Sequence, residues 1–141
     1  MTKVLIVDDE ADFSQALADR MELRGLKVET AGSGKDALKK VEDSSFDAVI
    51  LDLVMPEMDG IETLKKVLAK KPNLQIIFLT GHASVGSGVE SMKLGALDFM
   101  EKPADIDALL KRIEDAKAKR LVLVEKESEA SIREILTKKG W

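Results

Sequence analysis

The chain contains no cysteine and no tyrosine, one histidine and three prolines in 141 residues. Without cysteine there is no disulfide framework, thiol nucleophile or thiolate metal site, and the absence fits a reducing compartment. A basic surplus is missing too. Twenty-two Lys plus Arg stand against 26 Asp plus Glu, a formal net charge of −4, so binding to a phosphate backbone would release few counterions and direct nucleic-acid binding is not expected. No apolar run approaches the roughly 18 residues of a membrane span; the longest, Ala48 to Val54, is interrupted by Asp52. The N-terminus offers one Lys and the four apolar residues Val4 to Val7 before Asp8, Asp9 and Glu10, too short for a signal-peptide core. A cytoplasmic protein with no membrane association is expected. What is present, 45% hydrophobic and 34% charged residues, is the balance of a globular chain with its own core, and the length supports one domain.

Short apolar runs alternate with longer amphipathic stretches: Val4–Val7 then Ala11–Leu23, Val28–Ala31 then Lys35–Val41, Ala48–Leu51 then Ile61–Leu68, Ile76–Leu79 then Val85–Leu94, and Ala96–Met100 then Ile106–Ile113. These read as five βα units. Runs such as VLIV and AVIL are apolar on consecutive positions, the pattern of parallel strands covered by helices on both faces. Five such units are too few to close a barrel, so the expected class is α/β, a doubly wound open parallel sheet. Ligands of such sheets sit beyond the carboxyl ends of the strands.

Those ends carry Asp8, Asp9 and Glu10 after the first strand, Asp52 after the third, Thr80 after the fourth, and Lys102 with Pro103 after the fifth. Taken singly, each has an ordinary structural role: helix N-cap, satisfied hydroxyl, solvated turn. With strand order 2-1-3-4-5 they converge on one edge, where clustered carboxylates repel one another and call for a cation. Lys102 supplies one charge; paired Asp side chains with retained waters suit Mg²⁺. An ion there would hold phosphoryl oxygens, Thr80 and Lys102 would donate hydrogen bonds to the others, and Asp52 would be the nucleophile that forms an aspartyl phosphate.

The motifs VLIVDDE, DAVILDLVMPEMDG, IIFLTGHAS and LDFMEKP, in this order between about residues 3 and 115, resemble the receiver domain of two-component response regulators, a flavodoxin-like fold. The resemblance implies Asp8 and Asp9 as the metal-binding acidic pair, Asp52 as phosphoacceptor, and the Val54 backbone carbonyl completing the metal shell. It implies Thr80 and Phe99 as switch residues and Lys102 as the phosphate-contacting lysine. It further implies phosphoryl transfer from a sensor histidine kinase or phosphotransfer protein to Asp52. A downstream protein partner would then be engaged through the face built from the fourth helix, fifth strand and fifth helix, with the chain a switch and not an enzyme acting on other substrates. An aspartyl-phosphate phosphohydrolase is the competing class, but it needs a general acid two residues after the nucleophile, where Val54 stands. A flavin carrier would place its phosphate against Asp8 and Asp9.

Departures from the common receiver pattern carry expectations of their own. Phe99 lacks a phenolic hydroxyl. Gly86 and Gly88 each weaken a helix by roughly 1 kcal/mol relative to Ala, predicting a short or mobile fourth helix, with a plain loop over Ala83–Gly88 as the alternative. His82 is read as a surface residue or as one that tunes dephosphorylation; Val54 has no polar side chain to position water, which predicts slow self-dephosphorylation. The receiver is assigned to 1–117 and a C-terminal helical extension or tail to 118–141. In the extension Leu121, Val124, Ile132 and Ile135 form a helical stripe, Ser131 and Glu134 resemble a capping box, and Lys138, Lys139 and Gly140 suit a stop. Two readings stand for it: a prolonged fifth helix, or a separate dimerising or partner-binding helix. A homodimer would form through this helix or through the fourth-helix face, and the chain is either stand-alone or the excised receiver of a longer transcriptional regulator.

Overall fold

The computed structural model describes residues 1–138. Five strands, β1 (Lys3–Val7), β2 (Lys27–Ala31), β3 (Ala48–Leu51), β4 (Ile76–Thr80) and β5 (Asp98–Glu101), alternate with α1 (Ala11–Glu22), α2 (Gly34–Asp43), α3 (Gly60–Lys70), α4 (Val85–Lys93) and α5 (Ile106–Lys138). The strands form one sheet of order β2-β1-β3-β4-β5, and every pairing is parallel. This is the flavodoxin-like order expected from the sequence.

Period-2 alternation explains why whole strands are apolar. Leu5 and Val7 of β1 point into a core shared with Ala37 and Val41 of α2 and Leu64 and Val67 of α3. Val4 and Ile6 point to the other side, against Leu17 and Met21 of α1 and Leu109 and Ile113 of α5. Every position of β3 and β4 is buried, so polar groups on these strands are confined to their ends.

Two boundaries differ from the sequence reading. Strand β5 begins at Asp98, not Ala96, because Ala96 belongs to the end of α4: its N–H bonds to Ser91 O and that of Gly95 to Met92 O. Gly95 sits at φ 107°, the left-handed glycine that a Schellman cap requires. Helix α4 does form, excluding a plain loop over Ala83–Gly88. Ser84 caps it, accepting from the Ser87 N–H at 3.1 Å while the Ser87 hydroxyl accepts from the Ser84 N–H. At nine residues, with Ser91 its one buried residue, it is as short as its glycines predict.

Helix α5 runs unbroken for 33 residues, about 50 Å at 1.5 Å per residue. The Asp105 carboxylate caps it, accepting from the Asp107 and Ala108 N–H groups. Ile106, Leu109, Ile113 and Ala116 bury against the sheet. Past the sheet, Arg120 donates to Ser45 Oγ at 2.8 Å and Asn73 donates to Glu127 at 2.6 Å. The stripe of Leu121, Val124, Ile132 and Ile135 faces solvent. The Ser131–Glu134 capping box is corrected: Ser131 lies inside the helix and its hydroxyl donates back to Glu127 O at 3.0 Å, an acceptor one turn earlier that removes any reason to start a new helix. The segment is a prolongation of the fifth helix through Lys138; the expected stop residues Lys139 and Gly140 lie outside the described residues. None of the described helices is long and apolar enough to cross a membrane.

On the α1 face, the Ser14 hydroxyl is buried without a hydrogen-bond partner among the described residues. An unpaired buried hydroxyl is destabilising, and Ser is the weaker helix former. Ser14→Ala therefore raises the unfolding free energy by about 1 kcal/mol, read as a higher urea midpoint at unchanged slope; a lower midpoint would mean that the hydroxyl has a partner.

Candidate phosphoacceptor site

The sheet ladder continues one residue past its strands and carries the polar residues to one edge. The Asp8 N–H bonds to Ala31 O at 3.1 Å, that of Asp52 to Val7 O at 2.9 Å, and that of Lys102 to Thr80 O at 2.9 Å. Asp8 and Asp52 are each 3% exposed. The Asp52 carboxylate accepts from the Leu53 N–H at 2.8 Å. The loop behind it is drawn tight by Gly60, whose N–H donates to Leu53 O. A Cβ on Gly60 would lie 2.3 Å from Asp52 O, so this close approach admits only glycine. Asp59 caps α3 there, accepting from the Glu62 N–H at 2.9 Å.

Lys102 reaches across from β5. Its ammonium donates to Asp8 Oδ2 at 2.7 Å and lies 3.6 Å from Glu10 Oε1 and 3.9 Å from Asp52 Oδ2. The peptide joining Lys102 to Pro103 is cis. Burial pushes the Asp8 carboxyl above its ordinary range, and hydrogen bonds from Lys102 and the Glu10 N–H offset only part of that rise, to which the Asp52 charge adds. For Lys102, burial alone would lower the ammonium, but the hydrogen bond to Asp8 and the charges of Asp8, Asp52 and Glu10 outweigh it and hold the lysine above its ordinary value. The pair is unequal. Lys102 is held charged, while Asp8 carries the strain of being ionised in a poorly solvated place beside a second carboxylate.

Carboxylate oxygens of Asp8, Glu10 and Asp52 lie within 4.8 Å of one another. This all-oxygen set, with one ammonium against its several negative charges, fits a hard divalent cation such as Mg²⁺. Asp9, the other half of the expected acidic pair, is exposed and outside that cluster. Thr80 is fully buried; its hydroxyl accepts from the His82 N–H at 3.1 Å, while the His82 residue is exposed. The Val54 side chain is exposed. Phe99 is half-buried, its ring 5.9 Å from that of Phe78, and the Cα of Gly88 faces it, so that a Cβ there would touch the ring at 3.6 Å.

Sequence reasoning gave no specific ligand or positioning role to two residues at this edge. Glu10 was visible in the DDE run, but which of three adjacent acids turns inward depends on how the chain enters α1. Phe13 read as one more apolar position of α1; its ring lies under the Lys102 ammonium at 4.0 Å.

The profile of the response regulator receiver domain matches residues 4–114. The chain belongs to that family. It is a receiver domain of two-component response regulators. It is 40% identical over 115 residues to the transcriptional regulatory protein ZraR of Escherichia coli (strain K12), a match covering 82% of this chain and 26% of ZraR. The chain thus spans about a quarter of the length of that curated relative. Among solved structures, a response regulator receiver domain protein from Clostridium thermocellum matches with a TM-score of 0.82 at 30% identity, covering 87% of this chain and 99% of that one. The response regulator TrrA of Thermotoga maritima, solved in complex with Mg²⁺ and BeF, matches with a TM-score of 0.74 at 31% identity, over 82% of this chain and 99% of that one.

The unequal Asp8–Lys102 pair sets a pH dependence for the receiver. A carboxyl whose folded value is raised stabilises below its unfolded value of 3.8, and that contribution is lost as pH rises through the folded value. In cation-free buffer Asp8→Asn therefore raises the melting temperature at neutral pH by a few degrees, and the gain shrinks as pH falls toward 3.8. Thermal unfolding across that range checks it; a gain that grows on acidification contradicts the assignment.

Proposed function

We propose that this receiver accepts a phosphoryl group on Asp52 from the phosphohistidine of a sensor histidine kinase or phosphotransfer protein. The observation that carries the reading is the position of Asp52: a buried carboxylate between a cation-fitting oxygen cluster and the Lys102 ammonium, with the Thr80 hydroxyl at the end of the next strand. An Asp52 oxygen attacks phosphorus, the P–O bond forms as the P–N bond breaks, and the imidazole leaves with a proton. Asp8 and Asp52 would hold Mg²⁺, with Glu10 from the cluster and with Asp9 and the Val54 carbonyl as the family resemblance implies. When bound, the ion offsets the charge gathering on the transferring group. Lys102 neutralises part of the same charge, and Thr80 donates a hydrogen bond to a phosphoryl oxygen.

The switch would start at Thr80. Its hydroxyl accepts from His82 at the start of the loop to α4; turning to donate to a phosphoryl oxygen, it would pull that loop inward and give Phe99 room against the side of α4 that lacks a Cβ at Gly88. The surface this alters carries exposed Val85, Val89 and Met92 and would receive the downstream protein or a second copy of the chain. Residues 1–117 act as the switch. Residues 118–141 would join it to a further domain or pair with a partner, a reading supported by the helix that continues through Lys138 and by the receiver's small share of ZraR. Val54 and His82 are the residues that would tune dephosphorylation, Val54 toward a slow rate.

Intact mass after incubation with phosphoramidate tests the reading. One phosphoryl group is expected on the wild-type chain with Mg²⁺, almost none when the metal is chelated, and none on Asp52→Asn. Equal labelling of Asp52→Asn would place the acceptor elsewhere.

A further inference from the structure

We propose that Phe13 is a positioning residue for Lys102: its ring face retains the ammonium over Asp52 when a cation claims the carboxylates. The inference rests on the proposed reading of Asp52 and extends it to a residue that reading does not use. Among the described residues the Lys102 ammonium pairs with Asp8 at 2.7 Å, Glu10 at 3.6 Å and Asp52 at 3.9 Å, and lies 4.0 Å from the Phe13 ring centroid. The first three form the cluster that suits a divalent ion. Phe13 is the neighbour that a metal does not compete for.

The consequence is electrostatic. A divalent ion on Asp8 takes over the lysine's hydrogen-bond acceptor and repels the ammonium. The lysine stem is a flexible chain of four carbons and, set loose, would swing to water. An aromatic face attracts a cation through its quadrupole, and does so more strongly where water is scarce; the Lys102 side chain is only 14% exposed. The ring is itself fixed. Phe13 stands in the first turn of α1 and packs against the apolar core between the sheet, α1 and α5, so the lysine keeps its place while its acidic partners are exchanged for metal and phosphoryl oxygens.

The first test needs no substitution. Aromatic ring current moves the Lys102 ε-methylene protons upfield, and in the full-length wild-type chain the shift persists as Mg²⁺ is titrated to saturation; its collapse to the free-lysine value would overturn the proposal. The second compares Phe13→Leu, which keeps apolar bulk without a quadrupole, with Phe13→Tyr, which keeps the ring. Labelling by phosphoramidate slows by about three- to tenfold in Phe13→Leu, and the ε-methylene shift is lost; Phe13→Tyr restores both. Equal rates in Leu and wild type, or equal losses in Leu and Tyr, would reduce Phe13 to packing. If the wild-type chain takes no phosphoryl group at all, the proposed function fails, and the behaviour of the Lys102 shift under Mg²⁺ alone decides the role of Phe13.

Discussion

Three carboxylates facing one ammonium at the carboxyl edge of the sheet set the terms for the molecule. Asp8, Glu10 and Asp52 stand on the loops after β1 and β3, and Lys102 on the loop after β5, so the single hydrogen-bonded ion pair ties a central strand to the sheet's edge strand across β3 and β4. Its charges do not balance. The remainder of the fold tolerates this because cohesion comes from elsewhere: two apolar layers, one on each face of a sheet whose inner strands are buried throughout. The edge is thereby free to be electrostatically unsatisfied. A ligand that changes the charge there bears directly on Lys102, whose ammonium lies within 4 Å of all three carboxylates.

Next to that edge the structure is built weakly. Helix α4 has nine residues, two of them glycine, and one buried side chain, Ser91. Its start relies on a reciprocal pair of serines at 2.8 Å, and its contact with β5 includes a ring meeting a residue without a side chain. Few buried apolar contacts mean a low free energy of local opening. By contrast α3 buries Leu64 and Val67. The weakly held helix lies beside the site, and its glycines and single buried residue make it cheap to open.

The sheet was legible because each strand announces itself by consecutive apolar residues; the strand order, and with it the gathering of Asp8, Asp52, Thr80 and Lys102 on one edge, came from the resemblance of the strand-end motifs to receiver domains. What was not legible shares one cause. Ala96 is apolar and looked like strand, yet its N–H was needed to close the cap of α4. Ser131 looked like a helix start, yet its hydroxyl found an acceptor one turn back. Asp9 and Glu10 are both acidic, and only the path of the chain into α1 decides that Glu10 joins the cluster. Phe13 is apolar at a position that periodicity assigns to packing; its second role depends on a lysine 89 positions away. Composition and period fix which residues are buried or grouped. They do not fix which of several adequate partners a polar group takes.

Context of the same kind decides α5. As an isolated helix, residues 118–138 would have to nucleate their own first turn at a large entropic penalty. Here nucleation has already happened on the sheet, where Asp105 caps the helix and Leu109, Ile113 and Ala116 bury it. Each further residue adds only the small free energy of propagation, and no Gly or Pro between Ile113 and Lys138 interrupts it. The extension is helical because it continues the body, not because it folds alone, and for that reason it has no N-cap of its own. Continuity also has a mechanical side. The helix begins three residues after Pro103, beside the Lys102 loop, and is tied at the opposite edge of the sheet through Arg120 to Ser45 and Asp47. Beyond the tie from Asn73 to Glu127 the same unbroken helix carries Ile132, Ile135 and Leu136 into solvent.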